Sequence, residues 1–203
     1  MVPLSPSRYI DRTGNGNLST SDVWLANGTN IQVVATPSNY FFFGRWQGQT
    51  NGCTIASNRI TVVMNSGRAI AAVFSPYLAT NNVPKWWLAQ FGLTNFYSDA
   101  TNDIDRDSFF TWQEYIAGSD PTNPLSFFCL TGLGPGTQGI VLRWPSISSR
   151  FYSVSCSTDA LQSTSAYVGI PGASNLPATP AENSYTDTMQ RVRPCFFRIH
   201  VRE

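Results

Sequence analysis

Alternation of apolar and polar side chains marks both ends of the chain as β. Ile31-Gln32-Val33-Val34-Ala35 alternates briefly, while Ile60, Val62 and Met64 share one strand face and Ile70, Ala72 and Phe74 share the next. Residues two apart on a strand point the same way, so each set can line one buried surface. Asn65-Ser66-Gly67 separates the last two runs and predicts a short hairpin connection. Gly14-Asn15-Gly16, Asn27-Gly28 and Asn51-Gly52 read as further turns. Beyond about residue 127 the period of two returns. It runs through Ile140, Leu142 and Trp144, then Tyr152, Val154 and Cys156, then Cys195, Phe197, Ile199 and Val201. The Pro-, Gly-, Ala- and Ser-rich stretch from Gly169 to Pro180 predicts a long surface loop.

The middle of the chain changes period. Pro84 opens Lys85-Trp86-Trp87-Leu88-Ala89-Gln90-Phe91 and Gly92 closes it, the arrangement of a short helix. A second short helix is signalled over Thr111–Ala117 and stopped by Gly118, with Thr111 and Glu114 at capping-box spacing. The expected architecture is therefore mainly β. A β-module spans 1–76, a helix–loop–helix joint 77–126, and a C-terminal β-sandwich 127–203.

Composition narrows the class. Only 12% of the 203 residues are charged, and 22 Ser, 19 Thr and 15 Asn supply the polar surface instead. A net charge of +1 gives no global field toward nucleic acid, so that partner is not expected. No apolar run approaches the length of a membrane-spanning helix, and membrane insertion is not expected either. Met1-Val2-Pro3-Leu4 lacks a charged leader and an apolar core, so the chain reads as a mature form or a piece of an exported protein. Cys53, Cys129, Cys156 and Cys195 have neither CxxC spacing nor His partners, which argues against zinc. They fit either buried free thiols or up to two disulfides in an oxidising compartment. Because Cys156 and Cys195 fall on apolar strand faces, a Cys156–Cys195 bridge is expected, with Cys53–Cys129 as a second pairing.

One segment carries chemistry. Asp103-Ile104-Asp105-Arg106-Asp107-Ser108-Phe109-Phe110-Thr111-Trp112-Gln113-Glu114 has the spacing of an EF-hand-type calcium loop. Ca²⁺ takes six to eight oxygens, and carboxylates at alternate positions of a tight loop converge on one point. Asp103, Asp105 and Asp107 supply the first three. Phe109 would offer its backbone carbonyl, Thr111 its hydroxyl directly or through water, and Glu114 both carboxylate oxygens. The segment holds a local charge of −3 in a sparsely charged chain, a concentration that a cation would relieve. The sixth position, ordinarily Gly because the chain turns there with positive φ, is Ser108. That substitution costs about 1–2 kcal/mol and predicts weak binding, in the roughly 10⁻⁴–10⁻³ M range of extracellular modules.

With its continuation Tyr115-Ile116-Ala117-Gly118-Ser119-Asp120-Pro121, this segment resembles the single calcium repeats of bacterial surface proteins, which are related to dockerin type I and thrombospondin type 3 repeats. Dockerins carry two such loops and this chain one, so cohesin binding is not implied. The resemblance makes Asp120 an additional ligand, whereas its place before Pro121 equally suits a turn. Residues 14–75 resemble the divergent internalin-type B-repeat, through Gly28-Thr29, Ile31 to Ala35, Thr36-Pro37, Phe43, Trp46, Gly48, Ile60 to Met64 and Arg68 to Phe74. Such repeats imply small, non-catalytic β-modules of adhesins and secreted enzymes. The last 75 residues resemble the β-sandwich tail that follows these calcium repeats.

No catalytic constellation accompanies them. His200 stands between Ile199 and Val201 with no Gly-x-Ser-x-Gly elbow or phosphate loop, and Asp11, Asp22, Asp159 and Asp187 are not grouped into a carboxylate pair. Trp46 and Trp144 read as core, and Trp24 as a candidate for stacking on sugar. The expectation is a non-enzymatic, calcium-bound structural or adhesive module at the cell surface or outside the cell. Its partners would be copies of itself, neighbouring surface proteins or glycans, and it could assemble into a fibre or layer. The other reading is a carbohydrate-binding accessory module of a secreted hydrolase.

Overall fold

The computed structural model describes residues 9–20, 26–160, 166–189 and 195–203, with side chains from Arg12 onward. Trp24 lies outside the described residues. The fold is mainly β, with 42% of residues in strands and 12% in helices. Its contacts divide into two compact units, Met1–Phe96 and Tyr97–Glu203. Helix α1 (Lys85–Gln90) belongs to the first, and helix α3 (Thr111–Ala117), with the acidic loop before it, belongs to the second. A single helical turn, α2 (Phe96–Asp99), stands between them in sequence and was not foreseen.

Two sheets build the β part of the first unit. One has the order β1 (Tyr9–Thr13), β7 (Ala69–Pro76), β4 (Phe41–Gly48). The other has β2 (Gly16–Leu18), β3 (Thr29–Pro37), β6 (Arg59–Met64) and β5 (Thr54–Ala56). Strand β1 runs parallel to β7, from Tyr9 opposite Ala69 to Thr13 opposite Val73, and β4 is antiparallel to β7. The core between the sheets holds Val33, Ala35, Trp46, Ile60, Val62, Met64, Ile70, Ala72 and Phe74. Each aliphatic member of this size contributes about 1.5–3 kcal/mol by leaving water. Gly16 lies so close that a Cβ there would meet the Phe74 ring at 2.5 Å.

The expected hairpin at 65–67 is corrected. Its flanking strands, β6 and β7, lie in different sheets. Both turn their apolar faces into one core, and crossing from sheet to sheet buries the two faces against each other. Pairing side by side would not, and alternation alone cannot tell the two outcomes apart.

In the second unit one sheet contains β8 (Gly132–Pro135), β9 (Ile140–Pro145) and β13 (Glu182–Asp187), with β9 central. The other is built on β10 (Phe151–Ser157), which pairs with β11 (Val168–Gly169), β12 (Leu176–Pro177) and β14 (Phe196–Arg202). Thus the expected loop from 169 to 180 carries two very short strands. Leu142, Trp144, Tyr152, Val154, Ile170 and Ala173 form the sandwich core, with Phe197, Ile199 and Val201 packed against it. Trp46 and Trp144 are both buried, as their strand contexts predict.

The disulfides are also corrected: Cys53, Cys129, Cys156 and Cys195 form no disulfide. Cys156 stands directly opposite Phe197, whereas Cys195 precedes the first residue of β14. Sharing a face is not enough. Diagonal neighbours across a ladder are about 7–8 Å apart, beyond the reach of a disulfide.

Candidate metal centre

The acidic loop begins after α2 and ends in the first turn of α3. Asn102 ties its two ends together, because its carbonyl accepts both the Thr111 N–H (2.9 Å) and the Thr111 hydroxyl (3.0 Å). Within the loop the aspartates fold the backbone around themselves. Asp103 Oδ1 accepts from the Arg106 N–H at 2.7 Å and Oδ2 from the Ser108 N–H at 3.0 Å. Asp105 Oδ1 accepts from the Asp107 N–H (3.2 Å), and Asp107 Oδ1 accepts from the Phe109 N–H (2.8 Å). These bonds fix two left-handed residues, Arg106 at φ 67° and Ser108 at φ 80°. The sixth loop position therefore takes the conformation that glycine would favour, occupied by a serine.

The result is convergence of oxygen donors. Carboxylate oxygens of Asp103, Asp105 and Asp107 lie within 4.8 Å of one another. Glu114, on the first turn of α3, is 1% exposed, and the negative charges of all three aspartates act on it. Asp105 Oδ2, Asp107 Oδ2 and Glu114 Oε2 are inaccessible to water and have no hydrogen-bond partner. Leaving buried acceptors unmet is costly, and a cation among the aspartates, with Glu114 close enough to feel their charge, would relieve it. Arg106, the one basic residue of the segment, makes no ion pair with them among the described residues.

Electrostatics follow the same geometry. Burial, reinforced by Asp105, Asp107 and Asp103, pushes the Glu114 carboxyl from 4.5 up to about 8, partly opposed by a hydrogen bond from the Ser119 hydroxyl at 3.3 Å. Burial also raises Asp105, with Asp107 and Asp103 adding to the effect and the Asp107 N–H opposing it. A hard divalent ion would reverse this balance by pairing the charges. The donor set fits Ca²⁺, with Asp103, Asp105, Asp107 and Glu114 as the residues that would hold it.

Of the other expected ligands, Phe109 lies on the loop and Thr111 opens α3. Thr111 is fully buried and its hydroxyl donates to the Asn102 carbonyl, which leaves the oxygen's lone pairs unused by that bond. Phe109 is on the loop with its side chain 39% exposed, which leaves only its backbone to take part. Asp120 Oδ1 accepts from the Thr122 N–H and hydroxyl at 3.0 and 2.7 Å, so this carboxylate closes a turn. The helix begins one residue earlier than the Thr111–Glu114 capping-box spacing suggested. Phe110 is the N-cap, and its N–H donates to Gln113 Oε1 at 2.8 Å.

Sequence reading missed the residue that anchors α3 to the sandwich. Arg150, 8% exposed, donates to the Ile116 carbonyl (2.9 Å) and the Tyr115 carbonyl (3.1 Å), the last turn of α3. Its guanidinium also pairs with Glu203 at 2.8 Å. An arginine following a run of serines gives no local sign of this role.

The facing sheets of the first unit, with a single core between them, make a small β-module. Residues 9–77 match the family model of the divergent InlB B-repeat domain, which makes this part of the chain a B-repeat-like module. No curated protein and no solved structure matches the chain.

Proposed function

We propose that the chain is a non-enzymatic structural or adhesive module of an exported bacterial protein, stabilised by calcium. The B-repeat-like part supports placement at a surface, since domains of that family are typical of bacterial surface proteins. One observation carries the calcium reading: the carboxylates of Asp103, Asp105 and Asp107 converge within 4.8 Å, and water-excluded oxygens of Asp105, Asp107 and the adjacent Glu114 are left without hydrogen-bond partners. The ion would offset four clustered negative charges and hold the loop against α3. Through Arg150 on the Tyr115 and Ile116 carbonyls, that order extends into the sandwich.

The stabilisation expected is that of a ligand binding only the folded state, about 2.7 kcal/mol at a hundredfold excess over Kd. Calorimetry with calcium and with chelator tests it. A melting midpoint for the second unit that calcium leaves unmoved overturns the reading. Assembly into a fibre or layer is a further part of this proposal, and electron microscopy of the purified chain in calcium would check it.

A further inference from the structure

Strand β14 and helix α3 enclose a groove of about 420 Å³ in the second unit. Trp112, Gln113 and Ile116 line it from the helix, and Arg198 and His200 from the strand. Arg198 and His200 belong to an outward row completed by Arg202, at alternate positions about 7 Å apart. Ser155 and Ser153 stand opposite Arg198 and His200 on β10, and the buried Ser155 hydroxyl bonds within this row.

This row is positively charged and held in place. The Arg198 guanidinium lies 3.9 Å from the Tyr167 ring centroid, and that of Arg202 lies 5.2 Å from Phe151. Arg202 also donates to Asn175 Oδ1 at 2.7 Å. Neither arginine makes an ion pair among the described residues, and Arg198 Nη1 has no acceptor. His200 Nε2 is 3.0 Å from Ser155 Oγ. Burial, with the adjacent Arg198, lowers its pKa, so at neutral pH the two arginines carry the charge of the row. Glu114 also borders the groove, with its carboxylate buried against the loop aspartates.

We propose that this groove and arginine row bind an acidic, uronate-bearing polysaccharide. Arg198 and Arg202 would take carboxylates, His200 and the Gln113 amide sugar hydroxyls, and Trp112 the apolar face of a ring. Fixed guanidiniums without acidic partners favour an anion. Two of them on a chain of net charge +1 suit a sparsely charged polymer better than a nucleic acid, whose binding draws on many phosphate contacts. The proposal rests on the surface placement given above and not on the calcium proposal.

Affinity electrophoresis of the full chain through gels containing hyaluronan, an alternating glucuronate polymer, tests it. Dextran serves as the uncharged control and single-stranded DNA as the competing polyanion. Retardation in hyaluronan alone is expected, weakened at least tenfold by Arg198→Gln or Arg202→Gln and unchanged by Arg45→Gln in the first unit. Arg198→Lys, which keeps the charge, should retain part of the binding, and near-UV circular dichroism verifies that each variant folds. Runs in calcium and in chelator separate this result from the metal reading, and arginine-dependent binding in either supports the proposal. No retardation by hyaluronan overturns it, as does equal retardation of Arg198→Gln or binding of DNA as tight as that of hyaluronan.

Discussion

Replacing Glu114 by glutamine should stabilise the metal-free protein near pH 8 and destabilise the calcium-loaded one. The side chain keeps its shape and loses its charge. In the folded, metal-free chain the carboxyl titrates at about 8 in place of 4.5, so folding retains a proton that the unfolded chain has released. Stability from this group is therefore full below pH 4.5 and declines as pH rises toward 8. At about 1.4 kcal/mol per pH unit the whole interval amounts to about 5 kcal/mol, a ceiling that splaying of the loop would lower. Glutamine has nothing to titrate, so Glu114→Gln in chelator should be nearly flat over this window. With calcium the carboxylate is needed as a ligand, and the order of stabilities inverts. Calorimetry at about pH 5.5 and about pH 8, with chelator and with calcium, reads all four states. Even 1 kcal/mol moves the midpoint of a domain of this size by roughly 4 °C or more. If wild type in chelator is as stable at the higher pH as at the lower, and the variant does not exceed it there, the burial argument for this site fails.

Ser108→Gly removes a side chain from a left-handed residue and should raise the stability of the calcium form by about 1 kcal/mol, seen as a higher melting midpoint. Gly118→Ala does the reverse. At φ 81° the new Cβ would also meet Ile147 Cδ1 at 2.7 Å, so strain and overpacking together should cost about 2–4 kcal/mol in urea denaturation. Unfolding the unreduced protein in the presence of a thiol reagent should label Cys53, Cys129, Cys156 and Cys195 alike, and protection of any pair would contradict the free thiols.

The acidic loop was legible because its chemistry is local. Asp103, Asp105 and Asp107 alternate within five residues, and Glu114 follows at the start of a helix that Gly118 visibly ends. Both predicted helices form, since Pro84 and Gly92 at one and Gly118 at the other are backbone signals that tertiary context did not override. The β-cores were legible as faces: Ile60, Val62 and Met64 are all buried, as are Ile70, Ala72 and Phe74. Partnership between strands was not. Nothing in a period of two says that β6 and β7 occupy different sheets, or that Cys195 falls a diagonal step from Cys156. The acidic loop's support was hidden for the same reason, since Arg150 reaches α3 across more than thirty residues of sequence. Thr111 was assigned by spacing alone, and its hydrogen bond to the Asn102 carbonyl could not be read from that spacing.

The parallel pairing of β1 with β7 has a mechanical consequence. The chain enters this ladder at Tyr9 beside Ala69 and leaves β7 at Pro76, the opposite end. Tension applied along the polypeptide pulls these neighbouring strands lengthwise past one another. Their hydrogen bonds then share the load together, where a hairpin pulled from its open end would yield one rung at a time. A module so threaded resists stretching along its own chain.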